Sequence, residues 1–254
     1  MRFSFNTPHA KTFGQWIETL YQHLSPLLKQ NPLQFQTLFP LQGFTRLPKS
    51  SLITTILPSQ DATGRIYPFG MARWVPKTSF ALSYYQSLVD FPLAHHKNAA
   101  DLHKSLQILL QQPLNPASPP AIILQDILAP PKLCTDILTL HSWAKRLRSV
   151  PDCKQAIEIA LTSPHELFFW LPLIENWLPN LRWEHIYWQK NRALVVFGPL
   201  SAQNCASWMQ QKNLDFLLSL SQPTAVDPHF YQKLSTLFQK ELKMLEVLHF
   251  LLYK

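Results

Sequence analysis

Residues 52–74 constrain this chain more than any other stretch, because they hold two apolar ribbons bent around a short polar corner. Leu52–Leu57 is aliphatic and β-branched, and Ile66–Trp74 is apolar and aromatic, so each suits a pleated, buried surface. The corner between them carries Pro58, Ser59, Asp61 and Gly64, each of which fixes a turn for its own reason. Pro58 presets φ and withholds a ladder donor. Ser59 and Asp61 can fold their oxygens onto nearby backbone N–H groups, and Gly64 takes positive φ without steric cost. Arg65 is within reach of Asp61. The pattern predicts strand 52–57, a turn over 58–65 and strand 66–74, paired as a hairpin.

A hydrophobic fraction of 46% can bury a substantial core, and only 15% of residues are charged. Wholesale disorder is excluded by that balance. The 5 glycines, at 14, 43, 64, 70 and 198, fit neither G-x-G-x-x-G nor a P-loop. A phosphate cradle needs bare backbone close to the anion, so nucleotide folds built on such loops are disfavoured. The 3 cysteines, Cys134, Cys153 and Cys205, are odd in number and lack C-x-x-C spacing, which points to a reducing compartment. No apolar segment of signal-peptide type opens the chain, and Leu167–Ile174 is far short of the ~20 residues of a membrane helix. The expectation is a cytoplasmic protein with no membrane span.

Along the chain, Thr12–Leu28 has helical spacing of Phe13, Trp16, Ile17, Leu20, Tyr21 and Leu24, and Asn31-Pro32 ends it. Leu33–Leu41 reads as a strand, and helices follow over 79–91 and 94–112. Pro113–Pro120 is a proline-rich connector that cannot be helix. Beyond it, 136–147 and 152–161 read as helices, the second with Asp152 as N-cap. Glu166–Trp177 is a large apolar segment interrupted by Pro172. Trp183–Gln189 and Arg192–Phe197 form a hairpin, Ser201–Gln211 a helix, and an amphipathic helix starts at Asp227. The fold class expected is α/β: helices packed on a largely antiparallel sheet, an α/β/α-type sandwich, in a single domain over 1–254. Trp183 and Trp188 would face opposite sides of one strand, so one needs a covering layer or a partner.

The chemistry-bearing residues do not assemble into a site by spacing. His95, His96 and His103 are the nearest thing to a metal cluster, but no H-E-x-x-H occurs and the cysteines are not interleaved at ligand spacing. There is no G-x-S-x-G elbow, and Cys205 has no surrounding signature. No catalytic residue, cofactor or metal is expected. The net charge of +8 raises nucleic-acid binding. Yet the densest patch, Lys145-Arg146-Arg148, sits at a helix end where the dipole accounts for it, and aromatic–basic interleaving is lacking. Turn chemistry alone accounts for every residue of the 58–65 corner, which leaves that corner free to act as a docking surface as well.

The corner resembles one known family. Pro58, Ser59, Asp61, Gly64, Arg65 and Pro68 reproduce the Pro-Ser-x-Asp-x-x-Gly-Arg-x-x-Pro signature of TagF proteins of bacterial type VI secretion, with Phe69 where that family usually has an aliphatic residue. A weaker similarity runs from Trp183 through Val195-Val196-Phe197-Gly198-Pro199 to Ser207-Trp208-Met209. The family's opening Gly-Lys-Leu-Pro…Gly-Asp-Phe motif has no counterpart before Leu41. The resemblance implies a non-enzymatic, cytoplasmic repressor of assembly that sequesters the forkhead-associated scaffold protein Fha. It implies a partner-binding surface on Ser59, Asp61, Gly64, Arg65, Tyr67 and Phe69. A basic nucleic-acid-associated module, or a hydrolase whose triad forms only in the fold, remains the alternative.

Overall fold

The structure, a computed structural model, describes residues 8–47, 50–60, 63–76, 104–105, 108, 136–141, 144, 156–161, 163–179, 181–189, 191–212, 214, 217–219, 232 and 251. The chain divides into two compact units, residues 1–116 with 199–214, and residues 117–198 with 215–254. Both mix helices with largely antiparallel strands, as the sequence leads one to expect. The expected helix 79–91, the connector 113–120 and the patch Lys145-Arg146-Arg148 lie outside the described residues. So do most of helix 94–112 and most of the helix from Asp227.

In the first unit, helix α1 (Pro8–Gln30) carries an apolar stripe in which Leu20 and Leu24 are completely buried. Burying each contributes about 1.5–3 kcal/mol. Pro26 lies inside α1 and has no N–H to offer the Gln22 carbonyl one turn back. The Ser25 hydroxyl donates to that carbonyl instead, at 2.9 Å. Asn31 both ends α1 and starts α2 (Pro32–Thr37): its side chain accepts from Gln34 N–H at 3.0 Å, with Pro32 at the first helical position. The strand expected over 33–41 is therefore a helix through residue 37. A capping Asn followed by Pro outweighs the apolar run.

Strands β1 (Leu41–Arg46), β2 (Ser50–Gln60) and β3 (Ile66–Pro76) then form an antiparallel meander. The turn between β1 and β2 is closed by Leu47 N–H donating to the Ser50 carbonyl at 2.9 Å. Helix α1 packs against β3, and at Gly70 the approach is close: a Cβ there would run into Ile17 and meet Phe13 at 3.5 Å. Helix α4 (Ala202–Met209) also packs against α1. Trp16 Nε1–H donates to the Leu200 carbonyl at 3.3 Å just before it. Ser201 caps α4 by accepting from Asn204 N–H at 3.0 Å.

The C-terminus of α4 is a Schellman motif built without glycine. Gln211 sits at φ 57°, its N–H donating to the Trp208 carbonyl at 2.9 Å, while Lys212 N–H reaches back to the Ser207 carbonyl at 3.0 Å.

In the second unit, β4 (Ala156–Ala160), β5 (His185–Gln189), β6 (Arg192–Val196) and β7 (Leu217–Ser219) lie in the order β5-β6-β4-β7. All neighbours are antiparallel except β4 and β7. The segment expected as helix over 152–161 is a strand at 156–160. Ala156-Ile157-Glu158-Ile159-Ala160 alternates, Ile157 is paired on both sides and Ile159 on the β6 side, and this pairing outweighs the helical preference of Ala and Glu.

Helix α3 (Leu167–Trp177) continues across Pro172. The turn Pro164–Glu166 precedes it, and there Glu166 Oε1 accepts from Ser163 N–H at 3.1 Å, the glutamate half of a capping box, while Glu166 N–H donates to the Ser163 carbonyl at 3.1 Å. Leu167, Phe169, Trp170, Leu171, Leu173, Ile174 and Trp177 are buried, the all-round apolarity of a core helix.

Two stability measurements check these packing and capping arguments. Gly70→Val is expected to lower the unfolding free energy by about 1–3 kcal/mol in urea titration, through overpacking against Ile17. Unchanged stability would show that α1 does not close on β3 there. Gln211→Gly is expected to raise it by about 0.5–1 kcal/mol by relieving the left-handed strain, and Gln211→Val to lower it.

Candidate functional site

Pro58 faces Pro68 directly across the β2–β3 ladder, and neither has an N–H to give. In an antiparallel ladder, facing residues alternate between pairs that exchange hydrogen bonds and pairs that do not. Two prolines can oppose each other only in a non-exchanging pair, which fixes the phase of the whole hairpin. The exchanging pairs are Ser59–Tyr67, Leu57–Phe69, Thr55–Met71, Ile53–Arg73 and Ser51–Val75. The backbone groups of Ile66, Pro68, Gly70, Ala72, Trp74 and Pro76 therefore point away from β2. Consistent with this, the Ile66 carbonyl accepts a long hydrogen bond from Tyr21 Oη of α1 at 3.4 Å.

Among the described strands β3 ends the order, and Pro68 and Pro76 fall on its outward positions, as an edge strand requires. Pro58 costs nothing either. Its nitrogen points past the start of β1, whose first residue Leu41 pairs with Ile56. This corrects the expectation of a turn over 58–65: the ladder continues to Gln60 and Ile66, and Pro58 and Ser59 belong to the strand.

The same register sorts the residues singled out for partner binding. Ser59, Tyr67 and Phe69 lie on one face, beside buried Leu57 and Met71, and all three are half-buried. Gly64 and Arg65 are exposed in the turn, Gly64 at φ 84° as its role there demands. Gln60 Nε2 donates to the Gly64 carbonyl at 2.9 Å and closes the tip. Asp61 lies outside the described residues, and so does its proposed pairing with Arg65.

A second group of polar side chains escaped the sequence reading. On the sheet of the second unit, Ile157, Ile159, Ile186, Trp188, Ala193 and Val195 form one face that is essentially fully buried. The opposite face carries His185, Tyr187, Gln189, Arg192 and Glu158 beside the buried Ala156, Leu194 and Val196. Gln189 pairs directly with Arg192, whose Nε and Nη2 donate to Gln189 Oε1 at 3.3 and 3.1 Å. Glu158 is diagonal to Arg192 and accepts from its Nη1 at 3.3 Å, with the two side chains 20% and 13% exposed. A slip of one residue would carry each member to the wrong face, so the trio pins the β5–β6–β4 register. The signal was available: His-Ile-Tyr-Trp-Gln alternates polar and apolar.

His185 and Tyr187 stack with ring centroids 6.1 Å apart. Burial pushes the His185 imidazole below its ordinary value of 6.5, partly opposed by the Glu184 carboxylate. Trp183 and Trp188 are both covered. Trp183 precedes β5 and donates from Nε1 to Glu175 Oε1 at 2.7 Å, while Trp188 lies on the apolar face.

Among the described residues no group of three or more His, Cys, Asp or Glu is placed to hold a metal ion. Nor is any described helix long and apolar enough to cross a membrane. No protein-family model, curated protein or solved structure matches the chain.

Two measurements follow from this geometry. Pro68 is buried, so Pro68→Val places an outward N–H with no ladder acceptor inside the structure and is expected to lower the urea midpoint. A variant as stable as the parent would argue against the proline-set phase. The neutral form of His185 is favoured on folding, so its contribution is complete above pH 6.5 and is lost as the pH falls below that value. The urea midpoint is expected to drop as the pH is lowered past that point, with a smaller drop in His185→Asn; equal slopes in both proteins would contradict the assignment.

Proposed function

We propose that this chain is a non-enzymatic accessory protein of a bacterial type VI secretion system, acting in the cytoplasm by binding and sequestering a scaffold component. The partner in this reading is the forkhead-associated protein Fha, and the contact surface is the β2–β3 hairpin. One observation carries the reading: the described residues of the TagF-like signature, Pro58, Ser59, Gly64, Arg65 and Pro68, belong to one structural element. Pro58 and Pro68 set its phase, Gly64 and Arg65 form its exposed tip, and Ser59, Tyr67 and Phe69 share one half-buried face.

Half-buried aromatics beside a polar, exposed tip suit a protein interface, where Tyr and Arg are favoured anchors. The protected edge of β3 favours recognition through side chains over strand addition, since Pro68 interrupts the outward donors next to the tip. Sequestration then needs no chemistry at the site, only a surface that competes for a scaffold required elsewhere.

Affinity capture of purified Fha by the purified protein tests this reading. Tyr67→Ala with Phe69→Ala is expected to weaken binding by about tenfold or more. Arg65→Glu, exposed and away from the core, is expected to weaken it with unchanged thermal unfolding. Failure of the parent protein to bind Fha overturns the partner. Unaltered binding by both variants overturns the surface.

A further inference from the structure

We draw no further inference here: the strongest candidate, the polar group of His185, Gln189, Arg192 and Glu158 on one face of the second unit's sheet, carries none, because Arg192 is already held by Glu158 and Gln189 and nothing in the structure shows what covers the group.

Discussion

The Pro58–Pro68 pair is the constraint on which the first unit turns. Two residues without N–H groups face each other across an otherwise continuous ladder, and only one hydrogen-bonding phase accommodates them. From that phase follow the inward amides of Tyr67, Phe69, Met71, Arg73 and Val75 and the outward groups at the even-numbered positions. The outward Ile66 carbonyl is met by Tyr21 of α1, and the Gly70 position on the adjoining face lets Ile17 of α1 close on the sheet. A proline in the middle of a central strand would forfeit a ladder bond; here all three prolines of the hairpin sit where no bond is lost.

Helix ends in this chain are settled by equally local chemistry. Asn31 serves α2 as a cap, and Glu166 reaches back to Ser163. Gln211 accepts a left-handed conformation to finish α4. Each device answers the unpaired backbone groups that every helix end presents.

Much of this was legible in the sequence where a signal is local. Helical spacing located α1, the alternation around Lys190-Asn191 located the β5–β6 hairpin, and Ser201 marked the start of α4. The readings failed where distant partners decide. Ala156–Ala160 is a strand because β6 and β7 flank it, which a window of five residues does not reveal. The 33–41 segment differs for another reason, since Asn31-Pro32 signals the end of one helix and the start of the next with the same two residues. Of the candidate site, the turn glycine was legible from its conformational need. The shared face of Ser59, Tyr67 and Phe69 was not, because it depends on the ladder running two residues past Leu57 and Pro58. The polar trio of the second unit, Gln189, Arg192 and Glu158, stayed hidden for the same reason, as its members meet only across paired strands.

Amide hydrogen exchange along residues 66–76, followed residue by residue by NMR, tests the proline-set phase most directly. The account predicts that Tyr67, Phe69, Met71, Arg73 and Val75 exchange slowly because their N–H groups lie in the ladder with β2. Fast exchange at those odd-numbered positions, with protection instead at Gly70, Ala72 and Trp74, would contradict it.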